Sequence, residues 1–289
     1  MKACIYPGQG SQTVGMGAKL FEQYPETVEM ADNILGYSIR ELCLKDPENK
    51  LAFTQYTQPA IYVVNALHHL AYVEEPTTRA PDFLMGHSLG EYNALLAAGV
   101  IDFSTGLKLV KHRGEIMGTA NGGAMAAIMG ITLDVVTETL EENQFKSIDV
   151  ANINTQTQTV IAGLPDDINR ALPVFEKKGA KTIPLNVSAA FHSRQMESAA
   201  REFSLILENF QFRAPRIPVI SNVTAKPHQA HSIRQLLSTQ LRHQVRWLDS
   251  VRFLERQNVD TFTEVGAGRV LTRMLKKIHR EDRQLSKAA

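Results

Sequence analysis

Four residues read as a short apolar strand, Phe83-Leu84-Met85-Gly86, and run straight into Gly86-His87-Ser88-Leu89-Gly90. Residues 91–99 then carry a helical pattern closed by Gly99. A serine between two glycines at a strand-to-helix junction constrains this chain more than any other feature. It matches G-x-S-x-G, the nucleophile elbow, whose turn is too tight for side chains at the flanking positions. Such a turn lifts the hydroxyl clear of a sheet, and the following helix points its N-terminal amides at any oxyanion formed there. It also requires strands and helices that alternate around a sheet. The competing reading is a glycine-rich turn with an incidental serine.

The alternation extends on both sides of the elbow. Residues 3–6 read as a buried strand, broken by Pro7-Gly8-Gln9-Gly10-Ser11-Gln12. Residues 58–70 read as a long apolar helix. A further helix carries Leu107, Val110, Gly114 and Met117 on one face, with Ser104 placed to cap it. From residue 124 the order changes. Strand 124–129, helix 133–140, strands 148–151 and 159–162, helix 166–178 and strand 181–185 make a β-α-β-β-α-β succession, the ferredoxin-like unit. The longer alternation then resumes, with helix 196–210, strand 217–221, helix 251–257, strand 261–265 and helix 269–278. The expected architecture is α/β: an α/β-hydrolase-like large domain of residues 1–123 and 188–289, with a ferredoxin-like small domain of residues 124–187 inserted in it. The insert is expected to form one wall of the active-site cleft, since clefts between domains favour binding.

A serine hydroxyl needs a base near neutral pH. Of the nine histidines, His192 follows a strand and precedes a helix, where α/β enzymes place catalytic groups. His87 is too close along the chain to reach Ser88 well. His68, His69, His112, His228, His231, His243 and His279 read as surface or satisfied core. Gln9, in the loop after the first strand, can offer a backbone donor to an oxyanion. Arg113 on its helix reads ordinarily as an exposed arginine in a surface ion pair; the sharper alternative is a planar clamp for a carboxylate.

Other classes are excluded by what surrounds these residues. With 31 basic and 30 acidic side chains the net charge is +1, so no global field draws nucleic acid or an anionic membrane. The basic tail at 276–287 reads as a solvated helix end or a local patch. Cys4 and Cys43 make no disulfide framework. No apolar run approaches the roughly 18 residues of a spanning helix, and the N-terminus shows no signal-peptide pattern. A cytoplasmic protein with no nucleic-acid or membrane partner is expected. No H-E-x-x-H, clustered cysteines or aspartate-rich loop suggests a metal. Gly8-Gln9-Gly10 lacks the rest of a dinucleotide fingerprint. No metal and no permanently bound cofactor is expected.

Taken together, Pro7-Gly8-Gln9-Gly10-Ser11-Gln12, Thr57-Gln58-Pro59-Ala60, Gly86-His87-Ser88-Leu89-Gly90-Glu91-Tyr92, Arg113-Gly114, Gly123-Ala124-Met125-Ala126-Ala127, Phe191-His192-Ser193, Ser221-Asn222-Val223 and Glu264-Val265-Gly266 stand in one order. This order resembles that of malonyl-coenzyme A:acyl carrier protein transacylases, from residue 3 to about residue 278. Within that family the compact length, Tyr37-Ser38-Ile39 and Tyr62-Val63-Val64-Asn65-Ala66-Leu67 look most like the free-standing, trans-acting acyltransferases of polyketide synthases. The fatty-acid synthesis transacylases are close in pattern.

The resemblance implies a division of labour. Ser88 matches the acylated nucleophile and His192 its general base. Gln9 and the backbone N–H of Leu89 match the oxyanion hole. Arg113 matches the partner of the malonyl carboxylate. Gln240 matches a glutamine whose backbone carbonyl orients the histidine, in place of an aspartate. Phe191 matches the malonyl-selective pattern, whereas Ala189 departs from the histidine often found there. The implied substrates are malonyl-CoA and an acyl carrier protein or polyketide synthase carrier domain. Two rivals share the fold: a hydrolase that clears acyl groups from carrier proteins, and a non-catalytic docking module.

Overall fold

Strand β1 (Lys2–Tyr6) is followed by three short helices, α1 (Ala18–Gln23), α2 (Pro25–Leu35) and α3 (Ile39–Leu44), and by the long α4 (Thr54–Glu74). β2 (Phe83–Gly86), α5 (Gly90–Ala97) and α6 (Phe103–Thr119) come next. Then follow β3 (Ala124–Met129), α7 (Leu133–Glu142), β4 (Asp149–Thr155), β5 (Gln158–Gly163), α8 (Pro165–Lys177) and β6 (Lys181–Pro184). The remainder is α9 (Glu197–Leu207), β7 (Val219–Ile220), α10 (Ile233–Gln240), α11 (Trp247–Arg256), β8 (Thr261–Glu264) and α12 (Val270–Ala288). The structure, a computed structural model, describes residues 1–187 and 189–288; the expected boundary residue Ser188 and the terminal Ala289 lie outside these.

The first sheet is parallel, in the order β7-β2-β1-β8. β1 and β2 are apolar along nearly their whole length because helices cover both faces. Side chains alternate between those faces. Cys4, Tyr6 and Leu84 pack with α4 and α6 through Val63, Val64, Leu67 and Val110. Ala3, Ile5 and Met85 pack with α11 and α12 through Trp247, Val251, Leu271 and Ile278. The result is a three-layer α/β body in which β2 delivers the elbow.

The second sheet is antiparallel, in the order β4-β5-β3-β6. Ala126, Ile128 and Ile161 on one face meet α7 and α8 at Val136, Leu140, Ile168 and Phe175. The opposite face, with Met125, Ala127, Val160 and Ala162, belongs to the main core. β4 is also tied to the segment ahead of α11: Val245 N–H donates to Ala151 O (2.8 Å) and Ile153 N–H to Val245 O (3.0 Å).

Some expected elements differ. Asp102, not Ser104, caps α6, with Oδ1 accepting from Thr105 N–H at 2.7 Å. A cap must sit one residue ahead of the first turn in extended conformation, as Asp102 does at φ −86°, while Ser104 is already helical. α4 starts at Thr54, ahead of Pro59, so the proline lies inside the helix rather than at its head. The strand expected at 217–221 contracts to Val219–Ile220. The last helix runs well beyond residue 278, because Oε1 of Glu281 accepts from Thr155 Oγ1 (3.2 Å) and Thr157 Oγ1 (2.5 Å) on the β4–β5 turn. The basic tail is part of this helix, and the side chains of 285–287 lie outside those described. Among the described residues no helix is long and apolar enough to cross a membrane.

Candidate active site

The elbow is enforced by contact. A Cβ on Gly86 would lie 1.9 Å from the Gly90 carbonyl carbon, and one on Gly90 would lie 2.0 Å from Tyr6 O. β1, β2 and α5 therefore approach more closely than any side chain permits. Ser88 between them sits at φ 51°, in the left-handed region. A non-glycine residue held there costs about 1–3 kcal/mol and persists only where its surroundings impose it. Here they do: Ser88 N–H donates to Asn222 Oδ1 (2.6 Å), and Asn222 Nδ2 donates to Gly86 O (2.7 Å).

Ser88 Oγ lies 2.8 Å from His192 Nε2. His192 Nδ1 lies 2.7 Å from the main-chain carbonyl of Gln240, which can only accept. The Nδ1 position therefore carries the hydrogen, and Nε2 presents its lone pair to the serine hydroxyl. His192 is buried and also at positive φ, 59°. Burial, and after it the positive charge of Arg113, push its pKa down to about 3. The imidazole thus stays neutral in the resting site. Since the neutral ring is the active base, a lowered pKa moves the acid limb of reactivity downward. Labelling of Ser88 by a fluorophosphonate is expected to stay level as pH falls from about 7 to about 5. A break near the ordinary histidine value of about 6.5 would contradict this environment.

Arg113 is almost completely buried, so the surface ion pair is not its role. Its Nη1 donates to Gln58 Oε1 (2.7 Å), and its Nη2 donates to Gln240 Oε1 (3.0 Å) and to Ser88 Oγ (3.1 Å). Its Nε has no acceptor. Among the described residues no carboxylate pairs with this cation. The Tyr92 ring lies 5.6 Å from the guanidinium carbon. Ser88, His192, Arg113, Gln9, Leu89 and Phe191 line one cavity of 280 Å³, and Gln240 lies behind it. The N–H groups of Gln9 and Leu89 donate to nothing among the described residues. Met125 and Asn152, from β3 and β4, also line the cavity, so the second sheet supplies part of its wall.

Several site residues were not singled out from the sequence. Gln58 and Asn222 stand in motifs recognised there, but nothing marked their side chains as ligands of Arg113 and of the elbow. Glu91 and His228 are both fully buried and paired at 2.6 Å, although 137 residues apart. His87 is occupied elsewhere: its Nε2 lies 2.9 Å from Asn154 Oδ1 and its ring lies against Trp247. No cluster of three or more metal-binding side chains occurs among the described residues.

Comparison with known proteins bears on this arrangement. The family model described as acyl transferase domain matches residues 3–289. The polyketide biosynthesis protein PksE of Bacillus subtilis is 51% identical over 284 residues, 98% of this chain but only 37% of that protein. This chain thus spans about a third of that longer relative. The polyketide biosynthesis malonyl CoA-acyl carrier protein transacylase BaeC of Bacillus velezensis is 49% identical over 281 residues, covering 96% of each chain. The crystal structure of a malonyl CoA-acyl carrier protein transacylase from Burkholderia pseudomallei superposes with a TM-score of 0.93 at 45% identity, over 97% of this chain and 98% of that one. A mixed α/β body with its serine elbow, matched to one family model along nearly its whole length, belongs to the acyl transferase domain family.

Proposed function

We propose that this chain transfers a malonyl group from malonyl-CoA to the phosphopantetheine thiol of an acyl carrier protein or polyketide synthase carrier domain. One observation carries the reading: a buried guanidinium with no carboxylate partner stands 3.1 Å from the serine hydroxyl. An unpaired buried cation is costly, and an acyl group bearing its own carboxylate relieves that cost. The names of BaeC and of the Burkholderia structure support the same donor and acceptor.

In this reading His192 Nε2 takes the Ser88 proton as Oγ attacks the thioester carbonyl. The idle N–H groups of Gln9 and Leu89 receive the oxyanion, while Arg113 holds the far carboxylate. Collapse breaks the C–S bond, and His192 returns the proton to the CoA thiolate. The carrier thiol then attacks malonyl-Ser88, giving its proton to His192, which passes it back to Ser88 Oγ. Phe191 borders the acyl group and limits what can sit beside it. No metal or resident cofactor takes part.

The architecture fits a discontinuous large domain, 1–123 with 188–289, of α/β-hydrolase-like character and a ferredoxin-like small domain, 124–187. The strand order, antiparallel pairing and β-α-β-β-α-β succession of β3–β6 support the second assignment. The polyketide relatives support a trans-acting role in polyketide assembly. A biosynthetic enzyme of this kind works in the cytoplasm.

Intact mass spectrometry after mixing with malonyl-CoA tests the proposal. One malonyl group per chain is expected, discharged when a holo carrier protein is added. Consumption of malonyl-CoA without a transferred group would identify a hydrolase, and no change at all would identify a docking module.

A further inference from the structure

Behind the elbow lies a carboxylate that the transfer chemistry does not use. Glu91, in the first turn of α5, is fully buried. Its Oε2 accepts from Asn222 N–H (3.0 Å) and from Gln240 Nε2 (2.7 Å), and its Oε1 accepts from His228 Nε2 (2.6 Å). Gln240 is the link forward. Its Nε2 also donates to Ser88 O (3.1 Å), and its Oε1 accepts from Arg113 Nη2.

The Gln240 amide therefore stands between a carboxylate and a guanidinium. Its nitrogen faces the acceptor and its oxygen faces the donor. A flipped amide would oppose oxygen to oxygen on one side and N–H to N–H on the other. Both contacts are repulsive in a site that water does not reach. We propose that Glu91 is a positioning residue for malonyl transfer: it locks the Gln240 amide so that Oε1 holds Arg113 in the orientation that receives the acyl carboxylate. This rests on the malonyl-transfer reading above. Acetyl transfer needs Ser88 and His192 but not the guanidinium, so it is independent of the lock.

Glu91→Gln retains size and can keep a hydrogen bond to each partner, yet it removes the charge that forbids the flip. The experiment measures loading of Ser88 from malonyl-CoA and from acetyl-CoA by rapid quench and intact mass. Malonyl loading is expected to fall roughly 10- to 100-fold, the range known for residues that orient metal ligands from behind. Acetyl loading should stay within a small factor of wild type, so the donor preference falls with the malonyl rate. Added to Gln240→Ala, the change should cause no further loss of preference, because both act through one amide. An equal proportional loss for both donors, an unchanged preference or additive losses would overturn the proposal. Glu91→Asp, whose shorter side chain withdraws the carboxylate from Gln240 Nε2, serves if Glu91→Gln does not fold, with the same loss of preference expected and the same outcomes overturning the proposal. Wild type that takes no malonyl would sink the transfer reading itself. Wild type that takes it, with a preference Glu91→Gln leaves intact, would sink only the role of Glu91.

Discussion

Ser88→Ala is expected to gain no malonyl mass from malonyl-CoA under conditions that load the wild-type chain fully. Ser88 bears the only hydroxyl or thiol among the described residues lining the cavity, so no neighbour can take its place. The variant should fold normally, since alanine removes only one polar atom at a half-buried position. His192→Ala should retain the nucleophile and slow its loading by roughly 10²–10⁴-fold. His87, the nearest alternative, has its Nε2 engaged by Asn154. Malonyl mass on Ser88→Ala would refute the nucleophile, and a near-normal burst from folded His192→Ala would refute the base.

Arg113→Ala should turn the protein away from malonyl and toward uncharged acyl groups such as acetyl. Removing one partner of a buried charge pair costs about 3–5 kcal/mol, because the other charge is left stranded. That corresponds to roughly two to three orders of magnitude or more in malonyl transfer. Acetyl carries no carboxylate and should lose little. Arg113→Lys should rescue only in part. It keeps the charge but not the planar fork, which reaches Gln58, Gln240 and Ser88 at once. Initial rates of transfer to a carrier protein from both donors decide the matter. A proportional loss for both would show that Arg113 supports the fold or the CoA moiety instead.

How much of this was legible depended on sequence distance. The elbow was readable because its glycines, serine, strand and helix are contiguous, and local sterics dictate each of them. The β-α-β-β-α-β succession was readable for the same reason. Arg113 was ambiguous by itself, because periodicity on α6 separates apolar from polar faces but cannot tell solvent from a buried polar cleft. The family pattern implied the clamp, and the structure buries the guanidinium in the cleft. The Glu91–His228 pair left no local trace: each residue alone reads as a polar side chain of an amphipathic segment. The lock on Gln240 was equally invisible, since the resemblance pointed to its backbone carbonyl rather than its amide. Ser104 and Asp102 both make good caps, and a pattern of residue types does not say which one lies a residue ahead of the turn.

β1 has its two sheet neighbours at very different separations along the chain. Ile5 stands beside Met85 on one side and Glu264 on the other. During synthesis β1 emerges well before residues 261–264, so one of its edges has no partner until β8 has been made. The strand pairs of the β3–β6 sheet, by contrast, all lie within residues 124–184, and only the Val245 bridge to β4 comes from outside. These strands can pair before residues 185–264 are made. The nascent chain thus holds a paired small sheet beside an open parallel edge, and long-range strand pairing of that kind forms slowly and is prone to aggregate. Newly made protein should depend on chaperones mainly until residues 261–264 arrive, and much less afterwards.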